Sequence, residues 1–164
     1  GLLPENELSR AAGVALSPIT GGPSVNESLE TNIPGVFAAG NVLHVHDLVD
    51  YVSEEAGAAG EHAAAYILKS EHAAGRTLPV RCENGVRYTV PTAIRPDCAG
   101  DTVTLRFRVG GVYKNKKIAV YLGDTCIFSR RRPVLAPGEM ETVRLKSDLL
   151  RGAGDAVTVT LEEG

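Results

Sequence analysis

The stretch Thr102-Val103-Thr104-Leu105-Arg106-Phe107-Arg108-Val109 alternates polar and apolar side chains. A period of two is typical of a β-strand that buries one of its faces. Gly123-Asp124 predicts a two-residue hairpin turn with glycine at the first central position. Further short segments with strand character, separated by glycine, proline and aspartate turns, are residues 78–82, 85–90, 117–122, 125–129, 142–146 and 157–161. The sequence therefore predicts an immunoglobulin-like antiparallel β-sandwich over residues 76–164.

Composition limits the class of protein before any motif is considered. The chain has 164 residues, of which 43% are hydrophobic, so it can bury a core and is not a disordered chain. Its formal net charge is −3, which argues against a nucleic-acid partner. No apolar run approaches the roughly 20 residues that a membrane-spanning helix needs. Cys82, Cys98 and Cys126 have no paired spacing, so we expect free thiols and a cytoplasmic location.

Charge divides the chain into two parts. Residues 1–75 hold two basic and ten acidic side chains, a net charge of −8, whereas residues 76–164 hold fifteen basic and ten acidic, a net charge of +5. We interpret this change as a domain boundary. Basic clusters at residues 114–117 and 130–132 could form a patch for phosphate or an acidic partner. We favour solvated strand ends and turns, or a face that contacts the acidic first part. The chain opens on Gly1 rather than Met, and we expect it to be a piece of a longer protein.

The first part combines one predicted strand with one predicted helix. Residues 36–39 form a short apolar run, predicted to be a buried strand that leads into Gly40. A polar loop over residues 41–50 follows, and an alanine-rich helix is predicted over about residues 53–69. Acidic side chains in its first turn match the helix dipole, and small residues form a smooth stripe for close packing. The acidic residues are Glu54 and Glu55, and the small residues of the stripe are Gly57, Gly60 and Ala64.

Two stretches of the first part carry a family motif. The segment Glu30-Thr31-Asn32-Ile33-Pro34-Gly35-Val36-Phe37-Ala38-Ala39-Gly40-Asn41-Val42 contains the form T-x-x-P-G-V/I-F/Y-A-x-G, and the helix contains Ala56-Gly57-Ala58-Ala59-Gly60-Glu61-His62-Ala63-Ala64. Together with Gly1-Leu2-Leu3-Pro4-Glu5-Asn6-Glu7-Leu8, they resemble the C-terminal stretch of the flavin-dependent pyridine nucleotide-disulfide oxidoreductases, of which thioredoxin reductase is the best-known type. The resemblance covers about residues 1–75.

This resemblance implies a fold, a cofactor and an activity. The fold class is α+β, in which the C-terminal fragment of a Rossmann-like FAD-binding domain, residues 1–75, is joined to the β-sandwich. The parent protein would transfer hydride from NAD(P)H through FAD to an acceptor that the sequence does not identify. Asn41 stands where the family has Asp. The residues that the resemblance assigns to FAD binding are Gly40, Asn41, Val42, Asp50, Tyr51 and Val52.

Other motifs of the family are missing from the chain. Neither the G-x-G-x-x-G turn that holds a dinucleotide phosphate nor a redox C-x-x-C occurs. We therefore expect the chain by itself to be inactive and without cofactor, and to assemble with the remainder of its own oxidoreductase chain. The β-sandwich is expected to contact a partner subunit, or a second copy in a homodimer. The alternative is a non-catalytic chain whose β-sandwich is an interaction module.

His44 and His46 are the candidates for a catalytic role, as proton relays near a flavin. On an extended segment the two side chains point to the same side. That spacing is also found in metal sites, and Asp47 or Asp50 could add an oxygen ligand. No further His or Cys lies at an obvious companion spacing. We therefore predict polar loop residues here and no metal site.

Overall fold

The computed structural model describes residues 3–68 and 75–164. The chain separates into two units, Gly1–Ala74 and Gly75–Gly164, one residue away from the boundary predicted from charge. Mostly β content, two sheets and one main helix confirm the α+β class. Over the described ranges, no helix has both the length and the apolar character needed to cross a membrane.

Along residues 75–164, eight strands form two sheets. The strands are β1 Leu78–Cys82, β2 Val86–Val90, β3 Ala93–Ile94, β4 Thr102–Val109, β5 Tyr113–Leu122, β6 Thr125–Leu135, β7 Glu141–Lys146 and β8 Val157–Glu163. The larger sheet has the order β3-β1-β8-β5-β6, and the smaller sheet has the order β2-β4-β7. A short 3-10 helix, Ser147–Arg151, precedes the last strand.

The alternating stretch that predicted the sandwich is β4, with the expected bounds. Its apolar side chains are at most 2% exposed, namely Val103, Leu105, Phe107 and Val109. They share one apolar cluster with residues of both sheets, among them Ile118, Val120, Val143, Leu145, Val157 and Val159. Because a single cluster lies between the two sheets, the second unit has the architecture of a β-sandwich. Its immunoglobulin-like character stays a prediction.

The predicted hairpin turn joins β5 to β6. Gly123 has a φ of +55°, in the left-handed region, and Leu122 pairs with Thr125 across the turn. Both strands are longer than the alternation indicated. Away from the turn, both strands carry charged residues that lie opposite each other in the register of the sheet. A prediction based on alternating apolar residues does not detect such charged positions. The charged pairs are Lys116 with Arg132 and Lys117 with Arg131.

One strand pair departs from the predicted antiparallel arrangement. β1 runs parallel to β8, with Val80 opposite Val157 and Cys82 opposite Val159. Parallel neighbours need a long connection, and here all of β2 to β7 lies between them in the sequence. Alternation reports which side chains of a strand are buried but not the direction of the strand. The prediction of a fully antiparallel sandwich is therefore wrong at this pair.

The first unit is organised around one long helix. α1 spans Glu7–Ala11, a 3-10 turn spans Gly40–Val42 and α2 spans Val49–Leu68. Because α2 begins earlier than predicted, Glu54 and Glu55 lie beyond its first turn. Their predicted role at the helix dipole is therefore wrong, since that effect is confined to the first turn. The end predicted for this helix, at residue 69, lies outside the described residues.

The predicted buried strand at residues 36–39 is wrong. Phe37 makes a single antiparallel bridge with Glu30, and Val36 is 37% exposed. The turn at Pro34-Gly35 folds the chain back toward Glu30. Among the described residues of this unit, no strand lies alongside the segment to extend that bridge into a sheet.

The predicted stripe of small residues lies on an open face of α2. A Cβ added at Gly57 or Gly60 would meet no atom within 4 Å, and Ala64 is exposed. The buried residues of this helix are Glu55 and Ala59, which are four residues apart and share another face. It is therefore the face of Glu55 and Ala59 that attaches α2 to the rest of its unit.

Candidate functional site

Gly40 is the residue at which the family motif turns toward α2. Its φ of +69° lies in the left-handed region, which favours glycine. A Cβ added there would lie 3.2 Å from Cγ1 of Val52, so α2 packs closely against the turn. The N–H of Gly40 donates to Oε1 of Glu55 at 2.8 Å. The motif glycine is thus attached to the helix both by packing and by a hydrogen bond.

The carboxylate of Glu55 is the centre of a buried polar cluster. Nε2 of His46 lies 3.0 Å from Oε1, and Nε2 of His44 lies 3.0 Å from Oε2. The side chains of all three residues are at most 1% exposed. The two imidazole rings contact each other edge to face, with centroids 4.4 Å apart. The spacing of the histidines does bring them to the same side, where they meet a glutamate. We call these three side chains the Glu55 cluster.

The ionisation of Glu55 follows from these bonds. Burial raises the pKa of Glu55, but the hydrogen bonds from His44 and His46 lower it by more, so that the pKa is about 2. The carboxylate is therefore ionised at neutral pH and only accepts hydrogen bonds. It follows that Nε2 of each histidine carries a proton and donates to Glu55.

The Glu55 cluster also has the composition of a metal site. One ligand-type atom from each of His44, His46 and Glu55 lies within 4.8 Å of the others. A metal on Nε2 would move the ring proton to Nδ1, where a metal-bound histidine almost always donates to an acceptor. Nδ1 of His46 is buried and has no hydrogen-bond partner in the part of the chain that the structure describes. His46 is therefore suited to donate from Nε2 to Glu55 rather than to ligate a metal through that atom, and the absence of a metal site stays a prediction.

The carboxylate of this cluster is not one that the sequence indicated. Asp47 and Asp50 are both exposed and lie outside the cluster. Glu55 was missed because the sequence interpretation assigned it, together with Glu54, to an acidic helix start that matches the dipole. Glu55 and Ala59 are four residues apart, so an acidic and a small apolar residue share one face of the helix. This spacing is the sequence pattern that could have indicated a buried Glu55.

Asn41 is an exposed residue of the motif. Its Oδ1 accepts the backbone N–H of His46 at 3.2 Å. Nδ2 of the same amide is a hydrogen-bond donor that Asn41 offers to a ligand. An ionised Asp, which the family has at this position, only accepts. Asn41 therefore offers a hydrogen-bond donor that the Asp of the family does not have.

The other residues assigned to FAD lie on the same two elements. Val42 is half-buried, and its carbonyl oxygen accepts a hydrogen bond from Nδ2 of the buried Asn6 at 2.7 Å. Asp50 is exposed, whereas Tyr51 and Val52 are half-buried in the first turn of α2. Asn6 was also missed by the sequence, because its partner lies far along the chain and no local pattern marks it.

The turn and the start of α2 present groups suited to an electron-rich ligand. The N–H groups of a first helical turn have no partner within the helix, and the positive end of the helix dipole lies there. The amide of Asn41 adds a donor on the turn that packs against this helix. His44 and His46 are instead buried and bonded to Glu55, so neither imidazole reaches the surface of the described unit.

Comparison of the chain with known protein families, with curated proteins and with solved structures found no match. The resemblance to flavin-dependent oxidoreductases therefore rests on the motif residues themselves. Of these, the structure brings Gly40 against Val52 and Asn41 against His46.

Proposed function

We propose that this chain is the C-terminal portion of a flavin-dependent oxidoreductase that transfers hydride from NAD(P)H through FAD to an acceptor. The observation that carries the proposal is the close packing of the Gly40 turn against Val52 in the first turn of α2. This packing supports the proposal because it joins the two segments that the resemblance assigns to FAD. Those segments are Gly40, Asn41 and Val42 on the turn, and Asp50, Tyr51 and Val52 on the helix.

In this proposal the residues of the chain bind the flavin and do not react with substrate. FAD supplies the hydride transfer when it is bound. Gly40 allows the backbone to approach the cofactor closely, and Nδ2 of Asn41 donates to one of its oxygens. The start of α2 directs its N–H groups and the positive end of its dipole at electron-rich carbonyl oxygens. The segment would be the C-terminal end of a Rossmann-like domain in a cytoplasmic protein, a location with which the free Cys82, Cys98 and Cys126 agree.

A second function is proposed for the other unit. Residues 75–164 contain two sheets and an apolar core of their own, and none of the residues assigned to FAD. This completeness favours a separate interaction module, which contacts a partner subunit or a second copy of the chain. Light scattering of the 164-residue chain measures its mass in solution. A strictly monomeric chain would contradict the homodimer.

The flavin proposal is tested by comparing the longer parent protein with the 164-residue chain. Both are purified in the presence of FAD, and the flavin absorbance per protein is measured after free cofactor is removed. We expect the parent to retain FAD and to oxidise NAD(P)H. We expect the chain to be colourless, because it contains no glycine-rich turn to hold the cofactor phosphates. A parent without flavin would contradict the proposed function, and a near-stoichiometric flavin band in the chain would contradict its predicted lack of cofactor.

A further inference from the structure

The loop that follows the family motif is anchored to α2 by one side chain. Glu55 accepts hydrogen bonds from the N–H of Gly40 at 2.8 Å and from the imidazoles of His44 and His46 at 3.0 Å each. The three side chains of this cluster are at most 1% exposed. The donors stand at the start, the middle and the end of the loop over residues 40–46. A single buried carboxylate therefore binds the loop at three points.

His46 connects this anchor to Asn41. The ring of His46 donates to Glu55, and its backbone N–H donates to Oδ1 of Asn41 at 3.2 Å. With Oδ1 engaged in this way, the amide of Asn41 has one orientation, in which Nδ2 points away from the N–H of His46. Glu55 thus acts on Asn41 through two successive hydrogen bonds.

An ionised carboxylate is suited to this position because it accepts from all three donors and donates to none. The isosteric Gln would keep one acceptor oxygen, but it would turn an NH₂ group toward a histidine Nε2 that also donates. One histidine would then have to move its proton to Nδ1, or the loop would lose an anchor. Glu55→Gln therefore disturbs the loop with almost no change in the volume of the side chain.

We propose that Glu55 is a positioning residue of the FAD site, and that through Gly40 and His46 it sets the orientation in which Asn41 meets the cofactor. This inference rests on the proposed flavin-binding function, and it adds a residue that the family resemblance does not assign. Glu55 is not a catalytic residue, because it is buried behind the loop and acts only through its neighbours.

The anchoring itself is tested on the 164-residue chain by nitrogen-15 NMR of the histidine rings. We expect His44 and His46 of the wild type to carry their protons on Nε2, and Glu55→Gln to change the tautomer of at least one of them. Glu61→Gln is the matched control, because Glu61 is exposed on the same helix. Ring signals that are the same in the wild type and in Glu55→Gln would overturn the anchoring.

The effect on the cofactor is tested by a double-mutant cycle in the FAD-binding parent. We expect Glu55→Gln and Asn41→Ala each to weaken FAD binding about tenfold, and the double variant to bind no more weakly than either. The effects coincide because both changes remove the same contact. A loss of about a hundredfold in the double variant would show independent effects and overturn the proposal. If Glu55→Gln does not fold, Glu55→Asp takes its place with the same expectation, because its carboxylate is one methylene shorter and cannot reach all three donors.

Two other outcomes separate this inference from the alternatives. If the wild-type parent binds no FAD, the proposed function fails, and the histidine spectra still decide whether Glu55 anchors the loop. Zn²⁺ is the probe for a metal site in the 164-residue chain. Stoichiometric Zn²⁺ binding that is lost in Glu55→Gln and kept in Glu61→Gln would identify the cluster as a metal site and overturn the positioning role.

Discussion

At Glu55 a negative charge is buried among three hydrogen-bond donors. An isolated carboxylate in an apolar interior would cost several kcal/mol, and the cost falls only where donors replace the lost water. Burial raises the pKa of Glu55, yet the hydrogen bonds from His44 and His46 bring it down to about 2. The loop that carries these donors is therefore held in place by the ionised form of Glu55.

Acid should loosen this loop over a defined range of pH. Glu55 titrates near 4.5 in the unfolded chain and at about 2 in the folded chain. Because the folded pKa is the lower one, the stabilising contribution is complete above pH 4.5 and is lost as the pH falls toward 2. The shift corresponds to about 3 kcal/mol. Urea unfolding of α2, followed by circular dichroism, should show the stability difference between the wild type and Glu55→Gln shrinking across this range. A difference that stays constant would contradict the assignment.

Asn41 should act on the cofactor through its donor group. Replacing Asn41 by Ala in the parent should weaken FAD binding by about 1–3 kcal/mol, because the cofactor atom that faces Nδ2 loses its hydrogen bond. Asn41→Asp installs the residue that the family has at this position and keeps an acceptor for the N–H of His46, so it should weaken binding less than Asn41→Ala. Fluorescence titration of the flavin-free parent measures both effects. Equal affinity in the wild type and in both variants would mean that the motif does not contact the flavin.

These residues were predictable to different degrees. Gly40 and Asn41 stand in a recognisable motif, and the two histidines stand at a recognisable spacing. The interval to Ala59 could indicate that Glu55 is buried, but it could not identify the partner, because Gly40 lies 15 residues earlier, in a loop. Helical periodicity relates residues of one helix to one another, whereas the contact between α2 and this loop exists only after tertiary packing.

At the level of secondary-structure elements, a single glutamate links the edges of the two sheets. Glu141 begins β7, the edge strand of the smaller sheet, and is 5% exposed. Its Oε2 accepts from Nη2 of Arg130 at 3.1 Å, and its Oε1 accepts from Nη2 of Arg132 at 2.7 Å. Both arginines belong to β6, the edge strand of the larger sheet. Part of the basic cluster at residues 130–132 is therefore a link within the sandwich.

Glu141→Gln should lower the free energy of unfolding of the second unit by about 1–2 kcal/mol. Two charge-assisted hydrogen bonds are weakened, and the effect is limited because the side chains of Arg130 and Arg132 are 44% and 35% exposed. Glu139→Gln, an exposed change just before β7, should alter that free energy by less than about 0.5 kcal/mol. Urea unfolding compares the two variants. Equal losses would show that the link to the arginines contributes nothing.

The elements were predictable where burial alternates along the chain. Thr102–Val109 has the predicted bounds because successive side chains differ in burial and in polarity. Residues 36–39 are as apolar as a strand, but a strand also requires a partner, which a short window of sequence does not contain. The start of α2 was predicted too late, because the helix already begins at Val49, within the stretch predicted as a polar loop.

The two units differ in how completely each buries its own elements. In the second unit an apolar cluster lies between two sheets, and Arg76 at its start donates to the carbonyl oxygens of Leu150 and Gly152 at 2.7 and 2.6 Å. In the first unit α2 buries only Glu55 and Ala59. The change of charge near residue 75 predicted where the chain divides, but composition carries no information on how well each part is packed.

We therefore expect residues 76–164 to fold on their own and residues 1–75 not to. The second unit contains enough paired strands and core for independent stability, whereas the first unit lacks any sheet among its described residues. Hydrogen exchange of the two separately expressed halves tests this, with strong protection expected in β4 and β5 and little in α2. A 1–75 peptide that melts cooperatively would contradict the expectation, and so would an unfolded 76–164 fragment.

The parallel pairing of β1 with β8 has a consequence for the order in which the protein can be assembled during translation. β8 is the middle strand of the larger sheet, between β1 and β5, although it is the last of the eight to be synthesised. Until the ribosome has added Val157–Glu163, β1 and β5 each lack a neighbour. The larger sheet therefore cannot close co-translationally before its last strand emerges. A nascent chain stalled before Val157 would leave two strand edges open to chaperones or to other unfinished chains.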